Sequence, residues 1–441
     1  MKSHPVLEGL AAAGVRLGLD RIRQFLTAMG EPHQQYPVVH VAGTNGKGST
    51  CAYVTEALVA AGYRVGTFTS PHLEHVNERV RFDGIPVDDG SLVAAIESVD
   101  RARWDFARTV GISEQPLTYF EMMTAVAFQL FAERRVDVAV VEVGLGGRLD
   151  ATNVVKPVVC AITHVGMDHM DVLGDTVEAI AAEKAGIIER GVPVVVGAMR
   201  PAARAVIENI ARRRDAPLWV PGAHLRRELR RDGWVLATPM GVLEGVQLQM
   251  PGLHQGANAL VALGVLHRLR ELGFLVDDEA ITVGLSRARL SGRIERPVPG
   301  LVVDGAHNVD GAAALSLWLG AQPRPASRIL LFGHNQDRDP VATILPLLAH
   351  VDEVVTTRCA HPKARDPMDL ALALQDLDVT LSAGGNIDDT LAEIYQEADE
   401  TVVAGSLYLA GAVSSLLRDG LLEGLSPGGG PAGELREIQL D

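Results

Sequence analysis

The chain alternates between apolar runs and helical stretches. Val38–Val41, Val65–Phe68, Val138–Val143, Val158–Ile162 and Val192–Val196 are short apolar runs, each separated from the next by residues with helical spacing. This alternation predicts a mainly parallel sheet with helices on its faces. Upstream, Ile22, Phe25, Leu26 and Met29 form a helical stripe, with Asp20 as N-cap and Gly30 as stop. Between about 215 and 250 the texture changes. Leu218–Val220 and Gly233–Ala237 lie among Gly, Pro and charged residues and predict small antiparallel strands. A helical stretch, Asn258–Leu272, follows. Glu295-Arg296-Pro297-Val298-Pro299-Gly300 reads as a linker. A second alternation then begins, with Leu301–Val303, Arg328–Phe332, Val351–Thr356 and Thr401–Val403 as strands. The expected division is 1–295, 296–425 and a flexible tail, 426–441, that opens with Ser426-Pro427-Gly428-Gly429-Gly430-Pro431.

Composition narrows this reading. A length of 441 residues exceeds one ordinary core, and 47% hydrophobic with 22% charged residues is an ordinary globular balance. A net charge of -15 argues against a broad nucleic-acid or anionic-membrane surface, while leaving room for a local basic pocket. Cys51, Cys160 and Cys359 lie far apart, without metal spacing, and read as small buried hydrophobes. No disulfide framework is indicated, which fits a reducing cytoplasm. No apolar run approaches the roughly 20 residues of a membrane span. Glu8 and Arg16 interrupt any signal-like core.

The first apolar run enters Ala42-Gly43-Thr44-Asn45-Gly46-Lys47-Gly48-Ser49-Thr50, and a helical pattern from Thr50 to Ala61 follows. Strand, glycine-rich turn with a lysine, and helix form the context of a phosphate-binding loop. Glycines let backbone N–H groups turn toward phosphate oxygens, and the helix N-terminus adds partial positive charge. Lys47 is placed to reach the outer phosphates, and Ser49 or Thr50 to face a magnesium ion. The spacing departs from the usual loop. Only Thr44 and Asn45 separate Gly43 from Gly46, and Gly48 stands where Ser or Thr is expected.

Val138–Val143 carries one carboxylate, Glu142, near its end. A strand buried on both faces holds a glutamate only where its charge is matched. Two accounts are open: a magnesium ligand at the strand's carboxyl end, or an ion pair with Arg148. Ser70, in Thr69-Ser70-Pro71-His72, and His169, after Asp168, follow other strands toward the same edge. Asp175, with Glu178 in the capping-box position, predicts a helix start. Its apolar face runs Val177, Ile180, Ala181, Lys184, Ile187, Ile188, so Lys184 falls on the buried stripe. Lys184 then either snorkels to the edge or is a desolvated neutral amine, able to add carbon dioxide and become an anionic metal ligand. Periodicity does not choose between them and by itself favours snorkelling. Asn258 opens a helix, Arg293 precedes the linker, and Asp304-Gly305-Ala306-His307-Asn308 follows a strand; all are candidates for nucleotide contacts.

Read together, these segments resemble the folylpolyglutamate synthase and dihydrofolate synthase family of the Mur ligase superfamily. The resemblance rests on Val41 to Ser49, Thr69 to Leu73, Thr118-Tyr119-Phe120-Glu121, Glu142 to Asn153, Asp168-His169, Glu183-Lys184-Ala185-Gly186, Asp304 to Asn308, and Gly405-Ser406-Leu407-Tyr408, all in family order. It implies an α/β fold. Residues 1–295 would be a P-loop ATPase-like domain with a mainly parallel sheet and a small antiparallel part, and 296–425 a smaller Rossmann-like domain. It also implies an ATP- and Mg2+-dependent amide ligase. ATP would phosphorylate a carboxylate of dihydropteroate or a reduced folate, and the amine of L-glutamate would attack the acyl phosphate. Neither nucleic acid nor membrane is a partner in this reading, and a monomer is the family's expectation.

The resemblance carries roles to matching positions only. Gly46, Lys47, Gly48 and Ser49 would cradle the phosphates, and Asn258, Arg293 and Asp304 would contact ATP with His307 beside them. Lys47, Lys184 and His307 form the implied catalytic set. Ser70, Glu142, His169 and a carbamylated Lys184 would hold metal. Thr118, Tyr119, Phe120, Glu121 and Asp150 resemble the pterin-side site. Two positions depart from the family pattern: Ser291-Gly292-Arg293 replaces Pro-Gly-Arg, and Asp337-Arg338-Asp339 replaces Asp-Lys-Asp. The folate-type Thr118–Glu121 segment argues against a ligase for peptidoglycan precursors. The presence of both Glu142 and Lys184 argues against a nucleotide-regulated binding protein without ligase chemistry. The motifs fit either an enzyme acting on both acceptors or one that only extends folates.

Overall fold

A computed structural model describes residues 3–11, 14, 16–111, 115–359 and 361–428. Of the tail expected at 426–441, residues 429–441 lie outside the described residues. The chain forms two compact units, Met1–Gln249 with Gln255–Arg289, and Met250–His254 with Leu290–Asp441. Each is α/β, as the alternation predicts.

The first unit is built on a sheet of β1 (Val38–Ala42), β2 (Val65–Phe68), β3 (Val80–Phe82), β4 (Ile85–Pro86), β5 (Val138–Glu142), β6 (Pro157–Ile162), β7 (Val194–Val196) and β8 (Leu218–Trp219). Their spatial order is β4-β3-β2-β5-β1-β6-β7-β8. The pairs β2–β3 and β3–β4 are antiparallel, and all other neighbours are parallel. β1 and β5 sit side by side at the centre, with every residue buried. Such strands need apolar residues on both faces, which is why the period-2 signal is absent from them. Phe131, fully buried on the helix Tyr119–Glu133, packs its ring on Gly66 of β2, where a Cβ would collide with it. A separate antiparallel sheet contains β9 (Arg226–Arg230), β10 (Gly233–Thr238) and β11 (Gly241–Val246).

Three expectations are corrected here. Leu218–Val220 is not antiparallel: Leu218 and Trp219 pair in parallel with Val194 and Val195 and extend the main sheet. Two-residue runs carry no period from which direction can be read. The helix Val177–Lys184 is capped by Thr176, whose side chain accepts from Ala179 N, and not by Asp175. Asn258 does not open its helix, which runs Leu253–Glu271.

The second unit holds β12 (Leu301–Val303), β13 (Arg328–Phe332), β14 (Glu353–Thr356), β15 (Thr380–Ala383) and β16 (Glu400–Ala404). The order β12-β16-β13-β14-β15 is parallel throughout. Glu295 pairs with Val303 through two backbone hydrogen bonds of 2.9 Å, so the proline-rich segment 295–300 folds back onto β12. At the amino-terminal end of this sheet Arg328, 1% exposed, donates to Glu400 on the adjacent strand at 2.7 Å.

Candidate active site

The glycine loop leaves the carboxyl end of β1 and enters the helix Lys47–Ala60. That helix begins at Lys47, three residues before its apolar pattern, because Gly46 at φ +85° turns the chain into it. A Cβ on Gly46 would run into Asn258 Oδ1, and one on Gly43, at φ +154°, into Thr163 Oγ1. Both positions therefore require glycine. The loop is pinned from its neighbour strand's exit: Thr44 N donates to His164 O at 2.6 Å, Thr44 Oγ1 to Gly166 O at 3.1 Å, and Thr163 Oγ1 to Asn45 O at 2.6 Å. A four-turn helix pointing its amino end at this loop makes the site attractive to anions. Ser49, 2% exposed, accepts from Gln255 Nε2 at 3.3 Å, and Gln255 in turn accepts from Asn258 Nδ2 at 3.0 Å.

Two ammonium groups and one carboxylate meet beside the loop. Lys47 Nζ donates to Gly43 O at 3.1 Å and Thr44 O at 3.2 Å, and lies 3.9 Å from Glu142 Oε1. Lys184 Nζ donates to the same Gly43 carbonyl at 3.0 Å. Lys184 is only 4% exposed, so it does not snorkel. Burial and the neighbouring Lys47 charge bring its pKa down to about 7, against the pull of Asp168 and Asp150. Glu142, 4% exposed, accepts from Ser70 N at 3.1 Å. The alternative partner, Arg148, instead pairs with Glu183 at 2.7 Å. His169 takes φ +51°, with Nε2 3.8 Å from Asp168 Oδ1.

A hard divalent cation fits these donors. The buried Glu142 carboxylate, with Ser70 beside it, offers oxygen ligands. Among the described residues no three His, Cys, Asp or Glu side chains gather into a cage. A cation here would complete its shell with phosphate oxygens and water, the habit of Mg2+.

The Thr118–Glu121 segment starts the helix Tyr119–Glu133. Thr118 and Glu121 cap it reciprocally: Thr118 N donates to Glu121 Oε2 at 2.8 Å, and Glu121 N to Thr118 Oγ1 at 3.3 Å. Arg21 holds the Glu121 carboxylate at 3.0 Å. Tyr119 lies under the Arg79 guanidinium, 5.3 Å from ring centroid to Cζ, and Phe120 packs over Gly144 in the loop after β5. Asp150 is buried in the same loop region, accepting from Leu145 N at 2.8 Å and Thr152 N at 3.0 Å. Burial raises its pKa, and these hydrogen bonds oppose the shift.

The remaining candidates belong to the second unit. Asp304, 7% exposed, accepts from Ile294 N at 2.9 Å and Ala306 N at 2.8 Å. Arg293 Nη1 donates to Gly292 O at 2.9 Å, and His307 Nδ1 is 2.7 Å from Gly305 O. Arg338, the arginine of the Asp-Arg-Asp departure, donates to His307 O at 2.9 Å.

Thr163, Gln255 and Arg79 were not foreseen as part of this arrangement. Only Thr163 carried a usable signal, since it ends an apolar run at the edge where strands deliver ligands.

Residues 91–266 match the family described as Mur ligase middle domain, and residues 291–418 match the dihydrofolate synthetase C-terminal domain. The chain is 38% identical over 335 residues to the dihydrofolate synthase/folylpolyglutamate synthase of Bacillus subtilis, covering 70% of this chain and 74% of that protein. It superposes on Escherichia coli FolC in complex with DHPP and ADP at a TM-score of 0.85 and 30% identity, covering 95% and 99% of the two chains. A bifunctional folylpolyglutamate synthase/dihydrofolate synthase with Mn, AMPPNP and L-glutamate bound matches at 0.83 and 31%, covering 95% and 99%.

Proposed function

Because the chain belongs to the dihydrofolate synthase/folylpolyglutamate synthase family, we propose that it is an ATP-dependent ligase joining L-glutamate to dihydropteroate and to reduced folates. The observation that carries this reading is the meeting of Lys47, Lys184 and Glu142 at a glycine loop and helix N-terminus. ATP would phosphorylate the acceptor's carboxylate, and the amine of glutamate would displace phosphate from the acyl carbon, leaving an amide, ADP and phosphate. Both reactants of the first step are anions, so the chain's task is to hold them together and neutralise charge.

Each residue has a part in that task. Backbone N–H groups from Gly46 to Ser49 cradle phosphates, and the Lys47 ammonium reaches toward the outer ones. Ser70, Glu142 and His169 would hold Mg2+, which supplies charge neutralisation and orientation when bound. Lys184, poised near neutrality, is suited to carry a carbamate that adds a further anionic ligand. Tyr119, Phe120 and Asp150, with the cap formed by Thr118 and Glu121, serve the pteridine side of the acceptor. Asn258 is assigned to ATP, as are Arg293 and Asp304 of the second unit, with His307 beside them. We read the enzyme as a monomer of the cytoplasm; the free, buried cysteines Cys51, Cys160 and Cys359 suit a reducing compartment.

The test is phosphate release from ATP with glutamate present, comparing dihydropteroate with tetrahydrofolate. Release with both acceptors supports the bifunctional reading. Release with tetrahydrofolate alone restricts it to chain extension. Silence with both, in a folded preparation that binds ATP, overturns it.

A further inference from the structure

His40 lies in the middle of β1, fully buried, and neither the phosphate loop nor the charge cluster employs it. An imidazole in such a place needs a polar partner. Its Nε2 is 2.9 Å from Thr152 Oγ1. Thr152 is fully buried too, and its hydroxyl proton goes to Asp150 Oδ1. A hydroxyl has a single proton, so toward His40 it acts only as acceptor. His40 therefore carries its proton on Nε2, and Nδ1, which has no hydrogen-bond partner, is bare. Burial keeps the ring neutral, its pKa lowered to about 3. The other Asp150 oxygen accepts from Leu145 N, three residues beyond Glu142. Donation thus runs one way, from His40 to Thr152 to Asp150, and Asp150 holds the loop whose Gly144 supports the Phe120 ring.

We propose that His40 is a positioning residue for the acceptor site, fixing through Thr152 the Asp150 carboxylate and the Gly144–Gly147 loop against which the pteridine end is held. This rests on the assignment of Asp150 and Phe120 to that side of the acceptor. His40 touches no reactant in this role. Its effect reaches the acceptor and not the nucleotide, because the phosphate loop is pinned by Thr163, His164 and Gly166 in the loop after β6, the neighbour of β1 on the side away from β5.

The experiment is steady-state kinetics on the full chain with H40L, H40Q, T152V, the H40L/T152V double variant and D150N. H40L and T152V each raise KM for dihydropteroate about fivefold, the worth of one hydrogen bond, with KM for ATP unchanged. The double variant is no worse than either single, since both cut one chain of bonds. H40Q, which returns an N–H near the Nε2 position, restores most of the loss. Amide exchange at Leu145 accelerates in H40L and T152V alike, a readout that does not depend on turnover. Should one variant fail to fold, the other still carries the test. Unchanged KM for dihydropteroate, a parallel rise for ATP, or additive effects in the double variant overturn the proposal. D150N tells two failures apart: if it raises KM while H40L does not, the proposal alone fails; if D150N is also silent, the acceptor-site assignment fails and the proposal falls with it.

Discussion

Lys184 Nζ donates to the carbonyl of Gly43 at 3.0 Å, tying the end of the helix Val177–Lys184 to the first glycine of the phosphate loop. Lys47 donates to the same carbonyl. One backbone oxygen thus gathers two amines, and the Lys47 charge disfavours a charge on Lys184. Replacing Lys184 by methionine removes the candidate carbamate without emptying the space it fills. The expected result is a loss of about 100-fold in kcat, with ADP affinity changed far less. Bicarbonate should not rescue K184M. Isothermal titration with ADP beside turnover assays checks both halves.

Glu142 is the one carboxylate on a central strand and faces Lys47 at 3.9 Å. Glu142→Gln keeps the shape and removes the charge. If Glu142 holds the metal as proposed, turnover should fall about 100-fold, and the Mg2+ concentration for half-maximal rate should rise about tenfold. A magnesium titration of the variant is the measurement. An unchanged titration curve would remove Glu142 from the metal site.

Gly46 at φ +85° sits against Asn258. Gly46→Ala imposes a left-handed conformation on a residue with a Cβ, costing about 1–2 kcal/mol, and displaces the Asn258 side chain as well. ADP binding should weaken at least about tenfold. Gly62→Ala, also at positive φ but with open space around it, shares the backbone strain and should leave ADP binding unchanged.

How much of this was legible follows physical lines. The central strands, the lone Glu142 and the place of Lys184 on an apolar helix stripe were readable because burial leaves a compositional trace: apolar runs, and charges that break them; that Lys184 stays buried was not, since the same stripe favours snorkelling. Direction and caps were not. Leu218–Trp219 is too short to show whether it runs parallel, and both Asp175 and Thr176 are chemically able to cap, with backbone geometry alone choosing Thr176. The Arg148 alternative failed because Glu183, distant in sequence, takes that arginine. The helix start at Lys47 was hidden by Gly48, a poor helix former.

In the second unit, Arg328 is 1% exposed and shares Glu400 with Arg296, at 2.6 and 2.9 Å. Removing the carboxylate strands a buried guanidinium. Glu400→Ala should therefore destabilise this unit by about 3–5 kcal/mol in urea denaturation. A simultaneous Arg328→Met change should recover part of that, since no buried guanidinium is then left unpaired.

His334 is 1% exposed and stacks on Phe332. Burial, then the Arg365 charge, lowers its pKa to about 4, against the pull of the Asn335 backbone and then of Asp337 and Asp339. The unfolded chain titrates near 6.5, so between these values the unfolded state binds more protons and stability rises with pH. The contribution is whole above the unfolded value, shrinks as pH falls through it, and is gone below the folded one. Urea denaturation at pH 7.5 and pH 5 should show a loss of about 2 kcal/mol from this group. His334→Phe should flatten that part of the profile.

The central claim is that the chain activates a carboxylate by phosphorylation before glutamate attacks. Dihydropteroate labelled with 18O in its carboxylate tests it most directly. With ATP, Mg2+ and glutamate, the account predicts one 18O atom in the released phosphate for each amide formed. Amide formation with unlabelled phosphate would contradict it.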